Sequence, residues 1–520
     1  MTTENGLGAS GLFKIEAPIT WKAYLVCVSA TFGGVFFGYD IGWMSGVLGM
    51  PYVIQQYTDM EYDFNAGTPA DSSHSFAIPS SGKSLMTSIL SLGTFLGAIV
   101  AGDLADLWGR RITILIGCAI FSCGVILQIS SSGQLVLMTI GRLVAGLGVG
   151  FESSVIILYM SEVAPRKIRG AVVSAYQFSI TIGLLVANCV VYATQGRNDT
   201  GSYRIPIGVQ FLWDIILAGA LFFLPESPRY LVKKGNIQKA TEALCFIREQ
   251  PDDSEYIRDE LAEIVANHEY ESLVSPDKGY VSSWLACFKG PISKPNSNIR
   301  RTIVGAGIQG MQQLSGMNFI FYYGTTFFQQ LGTISNPFLI SLITTLVNVL
   351  TTPLAFWTIE RFGRRPLLIY GGLGMFLMQY IIGAVGTALP DNETAVKGMI
   401  AVICFQIFFY ATTWGPAAWV VNCVLAVITP YMTGDEEGAV NLGPKVFFFW
   451  GSLCLLGALF AYFLVPEMKG LSLEQVDLML AETSPRKSAQ WAPRTTFARE
   501  MAHVEKTEVT HVEHTDHHEA

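Results

Sequence analysis

Charge is scarce in this sequence. Only 14% of its 520 residues are Asp, Glu, Lys or Arg, against about a quarter in an ordinary soluble domain. With 51% hydrophobic residues, the chain has too few charged side chains to cover its apolar ones with a water-facing surface. Lipid is the simplest solvent for the excess. Basic tracts are also missing, which excludes a nucleic-acid partner on charge grounds. The nine cysteines form no C-x-x-C pair and no metal-ligand spacing. Most, such as Cys118, Cys123, Cys404 and Cys454, lie inside apolar runs and read as small apolar residues. No metal, cofactor or catalytic constellation is expected. A cleavable leader is excluded too, because Met1 to Thr20 is mostly polar and the first apolar stretch is too long and contains Asp40.

What the chain does have is long apolar runs. A membrane-spanning helix needs about 20 mostly apolar residues. Eleven runs qualify: Ala23–Leu48, Leu85–Leu104, Ile112–Ile129, Leu135–Val155, Ala171–Tyr192, Pro206–Leu224, Ile303–Phe328, Pro337–Phe356, Leu367–Ala388, Met399–Val421 and Val446–Val465. The fold class is an all-α membrane protein. The polar stretch Glu226–Asn298 separates six spans from five. Within it Asn236–Glu249 and Glu255–Tyr270 have helical periodicity and many charges. The expected organisation is an N-terminal tail (1–22), a first half (23–224), a helical linker (225–300), a second half (301–466) and a tail (467–520). Residues after Glu482 are rich in Ser, Thr, Glu and His and are expected to be disordered.

Basic residues set the orientation. Arg110 and Arg111, Arg166, Lys167 and Arg169, and Arg361, Arg364 and Arg365 fall in loops on one side, with the linker. The opposite loop Met50–Ser84 carries Asp59, Glu61, Asp63 and Asp71 against the single Lys83. The N-terminus and linker are therefore cytoplasmic. The chain also repeats itself. Gly102-Asp-Leu-Ala-Asp106-Leu-Trp-Gly109-Arg110-Arg111 is matched by Glu360-Arg-Phe-Gly363-Arg364-Arg365, and Pro225-Glu226 by Pro466-Glu467. Matching landmarks in two halves indicate parallel repeats, with substrate between them near the midplane.

Polar residues inside spans are costly and mark function. Asp40 and Arg142 are ionisable and intramembrane. Gln177, Gln312, Gln313, Asn318 and Asn348 supply amides, which both donate and accept and so suit a ring of hydroxyls. Neither Gln312 nor Gln313 is three or four residues from Asn318, so periodicity selects no facing set. The same amides also suit helix–helix hydrogen bonding.

These landmarks, in order, resemble the sugar porter family of the major facilitator superfamily, and within it fungal monosaccharide transporters. The resemblance rests on Phe37-Gly-Tyr-Asp40-Ile-Gly, the Asp106–Arg111 loop, Gly141-Arg142, Glu162-Val-Ala-Pro165 with Arg169-Gly170, Pro225–Arg229, Gln312-Gln-Leu-Ser-Gly-Met-Asn318, Glu360–Arg365 and Trp414-Gly-Pro-Ala-Ala-Trp419. It implies a major facilitator fold with two six-helix halves in the family, a lipid bilayer as surroundings, a plasma-membrane location and a monomer. It implies a monosaccharide, glucose or a related hexose, as substrate, with Gln177, Gln312, Gln313, Asn318, Asn348 and Trp419 around it. It implies that Asp40 takes the proton of a symporter and Arg142 is its charge partner. It implies that Asp106, Arg110, Arg111, Glu162, Arg169, Glu226, Arg229, Glu360, Arg364 and Arg365 form a cytoplasmic gate of salt bridges between the halves. A facilitated-diffusion uniporter and a transporter-like sugar sensor are the alternatives.

The sequence departs from the family once. After Trp419-Val-Val421 it passes directly into Asn422-Cys423…Pro430-Tyr431, and about one span's length is missing near span eleven. Either Val446–Val465 is inverted, or an apolar segment is forced out of the membrane, or Met399–Tyr431 forms a long broken helix that reaches into the vacated space. His511, His514, His517 and His518 lie in an acidic tail and are not expected to bind metal. Asn198-Asp-Thr200 and Asn392-Glu-Thr394 are glycosylation sequons on outer loops.

Overall fold

Inside a bilayer every backbone N–H and C=O has to be paired within the protein, so apolar runs of this length become helices. The computed structural model of the chain describes residues 20–58, 60–64, 68–69, 76–165, 169–274, 288–291, 297–330, 336–389, 392–415, 443–467, 479–480, 483 and 485–491. Among the described residues ten helical stretches are long and apolar enough to cross a membrane.

In the first half these are α1 (Trp21–Val47), α3 (Ser80–Trp108), α4 (Arg110–Ile129), α5 (Leu135–Val163), α6 (Arg169–Thr194) and the pair α7 (Gly201–Gly208) and α8 (Gln210–Phe223). A short α2 (Pro51–Tyr57) and a two-residue ribbon, β1 (Tyr62–Asp63) against β2 (Thr68–Pro69), lie between α1 and α3. The linker forms α9 (Pro228–Lys233), α10 (Ile237–Arg248) and α11 (Glu255–Val274), which matches the two helices expected there. Arg248 holds the linker to the first half: it donates to the Val163 carbonyl (3.1 Å) and pairs with Glu260 (2.7 Å). The second half comprises α12 (Asn298–Gln313), α13 (Met317–Gln330), α14 (Pro337–Thr351), α15 (Pro353–Phe362), α16 (Arg364–Ala388), α17 (Glu393–Phe409) and α18 (Val446–Leu464).

Small residues allow the helices of the first half to pack closely. A side chain at Gly38 of α1 would collide with the backbone of Ile180 on α6. Large apolar side chains such as Ile215, Phe223 and Leu350 point outward with 67%, 79% and 68% exposure. A surface of this kind is stable against acyl chains and not against water.

The expected continuous span Ile303–Phe328 is instead two helices. Gly316 takes a φ of +72°, a left-handed conformation that glycine adopts without Cβ strain, and the helix stops at Gln313. The carbonyl freed at Ser315 accepts from Gln379 Nε2 (2.6 Å) and Cys454 Sγ (3.6 Å). The break is therefore paid for inside the protein, as the bilayer requires.

The inversion of Val446–Val465 does not occur. Pro444 lies against Gly386 at the outer end of α16, whereas Tyr462 accepts from Arg365 Nη2 (2.8 Å) at its cytoplasmic end. α18 thus runs antiparallel to α16, and its end lies beside the turn at Gly363. α17 runs in the same direction as α18 and widens into a π turn at Tyr410–Trp414. The junction at Val421–Asn422 lies outside the described residues. The tail is not wholly irregular either. Over residues 485–491 it packs back on α18. Arg486 sits over Tyr462 and Phe463 (5.3 and 5.2 Å), and buried Ser488 accepts from the Glu467 backbone N–H (2.7 Å).

The repeat seen in the sequence is a repeat in space. Gly109 (φ +101°, ψ 163°) and Gly363 (φ +87°, ψ 169°) each make the turn between two spans, and a side chain at either would strike the carboxylate of Glu226 or Glu467. Such backbone angles are essentially glycine-only. Gly109→Ala and Gly363→Ala are each expected to destabilise the purified protein by about 1–3 kcal/mol. A thermal melt in detergent measures this, and a melting temperature unchanged by either substitution would refute the assignment.

Candidate functional site

Asp40 and Arg142 meet inside the first half, 1% and 0% exposed, with Arg142 Nη1 2.9 Å from Asp40 Oδ1. α1 and α5 bring them together. Arg142 also donates through Nε to the Met86 carbonyl (3.3 Å), and its guanidinium lies 5.1 Å from the Trp43 ring. Trp43 Nε1 faces Asp40 Oδ1 at 3.3 Å. Gln210, with its amide turned to satisfy both neighbours, donates to Asp40 Oδ1 (3.2 Å) and accepts from Trp43 Nε1 (2.8 Å). Among the described residues Asp40 Oδ2 and Arg142 Nη2 have no hydrogen-bond partner. The pair is compensated in charge but not saturated in hydrogen bonds.

Four of the five expected amides form one line across the halves. Asn318 Nδ2 donates to Gln313 Oε1, Gln313 Nε2 faces Gln312 Oε1 (3.4 Å), and Gln312 Nε2 donates to the carbonyls of Trp414 and Gly415 (3.0 Å each). A side chain at Gly415 would lie 3.4 Å from Gln177 Nε2 of the first half. The break between α12 and α13 is what lets Gln312, Gln313 and Asn318 converge, so helical spacing alone could not find the set. Gln177 Oε1 is buried without a partner, an acceptor left over. Asn348 stands apart on α14. Thr352 donates to its Oδ1 at 3.5 Å, and its Nδ2 is unpartnered. Trp419 lies outside the described residues. The aromatic seen at the line is Trp414, buried, with Nε1 donating to the Leu368 carbonyl (2.9 Å).

The outer side is closed over this region by contacts between halves. Tyr323 of α13 meets Thr87 of α3 through their hydroxyls. Ser45 and Thr325 approach to 3.4 Å, and Gln329 donates to the Gly49 carbonyl (3.1 Å).

The described gate charges cluster at the turns and ends of the spans. Arg110 binds Glu162 through Nε (3.1 Å) and Nη2 (2.9 Å) and reaches Asp106 at 3.2 Å. Lys233 of α9 meets Asp106 at 2.7 Å. Glu226 accepts from the backbone N–H groups of Arg110 (3.0 Å) and Arg111 (3.2 Å), and Arg111 Nη2 donates to the Phe222 carbonyl (2.7 Å). Burial pushes the Glu226 carboxyl up, against the pull of these N–H donors and of Arg110. In the second half Glu467 accepts from the N–H groups of Arg364 (3.0 Å) and Arg365 (3.1 Å). Each of these contacts stays within one half or between a half and the linker. In this conformation they brace the cytoplasmic ends and do not bridge the halves. Arg229 is half-buried beside Glu226 in sequence, and the side chains of Arg169 and Glu360 lie outside the described residues. Ser227, whose hydroxyl meets Glu162 while its N–H donates to Glu226 (2.9 Å), and Glu467 were missed as members. The matched Pro-Glu landmarks were the available signal.

The sugar (and other) transporter family matches residues 26–422 and 417–480. The chain belongs to this family. It is 42% identical to the major facilitator-type transporter ecdD of Aspergillus rugulosus, over 91% of this chain and 90% of that one. It is 39% identical to the high glucose sensor RGT2 of Saccharomyces cerevisiae, over 87% of this chain but 60% of the sensor. It is 34% identical to the low-affinity glucose transporter HXT1 of the same yeast, over 92% and 86%. In fold it resembles the proton:xylose symporter XylE bound to 6-bromo-6-deoxy-D-glucose, with a TM-score of 0.71 at 22% identity over 89% of this chain and all of that one. The chain is thus a multi-pass membrane protein of the major facilitator fold, in a family of transporters and not of enzymes.

Removing one partner of a buried ion pair leaves the other charge uncompensated, at a cost of about 3–5 kcal/mol. Arg142→Leu is expected to lose stability of that order, and adding Asp40→Asn is expected to restore most of it. Additive losses in a double-mutant cycle on the melting transition would contradict the pairing.

Proposed function

We propose that this protein carries a monosaccharide, a hexose, across the plasma membrane by alternating access, with a proton bound at Asp40 in each cycle. The observation that supports it is the juxtaposition of two unlike sites: a buried, incompletely bonded Asp40–Arg142 pair, and a line of amides crossing from Gln312 to Gln177. The amides offer donors and acceptors to hydroxyls without a net charge, which suits a neutral sugar. The pair offers a charge whose state depends on its geometry. While Arg142 is in contact, its charge favours the carboxylate form of Asp40. When the helices shift and the guanidinium withdraws, the carboxyl has no counter-charge, and a proton replaces it. The relatives named as glucose transporters support the hexose.

Asp40→Asn removes the titration and keeps the shape. It is expected to abolish accumulation of sugar against a gradient while exchange or binding survives. Accumulation by this variant with the normal pH dependence would eliminate Asp40 as the proton site. A normal wild type that only equilibrates sugar would favour the uniporter.

A sugar-sensing role is the second reading, favoured by the 39% identity to a protein named as a high glucose sensor. Expression in cells lacking hexose uptake separates the two, since a sensor restores glucose-dependent signalling without restoring uptake.

We propose further that the chain as it stands transports less than a form with the missing span restored. The two matched segments of the family meet at residues 417–422, where the gap is read. Fewer residues stand between α17 and α18 than the family's pattern has there. Side-by-side expression is expected to show several-fold lower uptake for the shorter chain at equal surface level. Equal uptake would refute the proposal.

A further inference from the structure

Two more carboxylates are buried in the first half, and the mechanism above does not use them. Glu152 of α5 is 1% exposed and Asp214 of α8 is 4% exposed. They meet at Cys118 of α4. The thiol donates to Glu152 Oε1 (3.3 Å), and an oxygen from each carboxylate lies with the sulfur inside a 4.8 Å cluster. Ser122, one turn along α4, donates to Asp214 Oδ2. Here the donors end. Among the described residues Glu152 Oε2 and Asp214 Oδ1 are buried with no hydrogen-bond partner, and neither carboxylate meets a cation. The charges that bear on Glu152 are Asp214 and, more weakly, Asp40, and Glu152 in turn bears on Tyr176 of α6.

An ionised carboxylate in a membrane interior needs a counter-charge or a full set of donors. This pair has neither. Two carboxylates this close, with one thiol and one hydroxyl between them, are short of donors at both unpartnered oxygens. One proton supplies a donor and removes a charge. The position is also informative. α5 runs inward, so Glu152, ten residues after Arg142, lies about 15 Å nearer the cytoplasm at 1.5 Å per residue. α8 places Asp214 one turn inward of Gln210, which itself touches Asp40. The two acids therefore lie on the cytoplasmic side of Asp40 and Arg142, along the same helices.

We propose that Glu152 and Asp214 form a second proton-bearing site, with Cys118 and Ser122 as its hydrogen-bond partners, on the path between Asp40 and the cytoplasm. In service, the proton leaves the Asp40 carboxyl, which returns to its pairing with Arg142. It is received by the Glu152–Asp214 pair as the pair's resident proton passes to the cytoplasmic side. This service rests on the proton-coupled reading. The presence of the bound proton does not.

Infrared spectroscopy of the full chain in lipid tests it. A buried protonated carboxyl has a C=O stretching band separate from that of carboxylates. The wild type is expected to show the band at neutral pH, and Asp40→Asn to retain it. Cys118→Ala is expected to shift it, because the thiol bond to Glu152 is lost. The double variant Glu152→Gln, Asp214→Asn, which keeps the side-chain shapes, is expected to lose it with its helical circular dichroism intact. Adding glucose to the wild type is expected to change the band, which a static structural pair would leave unmoved. Absence of the band in the wild type, its survival in the double variant, or indifference to glucose would each overturn the proposal. The two readings fail separately. A band that responds to glucose, in a protein that takes up no proton with sugar, sinks the symport and keeps the site. Proton uptake without the band does the reverse.

Discussion

An arginine and an aspartate that face each other inside a membrane constrain everything around them. Neither can be removed alone without exposing a charge to a low-dielectric interior. The structure surrounds the pair accordingly. The Met86 carbonyl takes one guanidinium hydrogen, Trp43 offers its ring face, and Gln210 supports the carboxylate. Close packing of α1 on α6, made possible by Gly38 and its neighbours, keeps lipid away. Yet one oxygen and one nitrogen of the pair are left unbonded. A fully satisfied pair would be a rivet. An incompletely satisfied one lies closer in free energy to its separated, protonated form, as a switch requires.

The pair is joined to the amide line by α1. Its outer end meets α13 at Ser45 and Gly49, and α13 begins at the break that gathers Gln312, Gln313 and Asn318. A shift of α1 that separates Asp40 from Arg142 therefore acts on the same helix that presents Asn318. Two short contacts at the cytoplasmic turns, Glu226 under Arg110 and Arg111 and Glu467 under Arg364 and Arg365, fasten neighbouring spans together within each half. They let each half move as a body, while the closed outer side is held by a few hydroxyl and amide contacts that are individually weak.

Most spans, the two-fold repeat and the intramembrane charges Asp40 and Arg142 were legible in the sequence, because apolar length, matched landmarks and intramembrane charge are properties of one segment at a time; the pairing of the two charges came from the family resemblance. Relations between segments were not. Gln210 reads as an ordinary polar residue near a helix start until α8 brings it to Asp40. Glu152 and Asp214 lie 62 positions apart, and only the packing of α4, α5 and α8 reveals them as a pair. Gln379 becomes informative only once Gly316 has freed the Ser315 carbonyl for it. The tail misled for a related reason. Its composition is that of a disordered segment, but Arg486 lies over Tyr462 and Phe463 of α18 and Ser488 accepts from the Glu467 N–H just beyond that helix, contacts that composition does not report.

The central claim is that sugar and proton share one cycle through Asp40. Calorimetry of glucose binding to the purified protein, run in two buffers with different ionisation enthalpies, measures it directly, since any proton taken up with the sugar is drawn from the buffer. The account predicts heats that differ between the buffers for the wild type and coincide for Asp40→Asn. Binding with the same heat in both buffers for the wild type would contradict it.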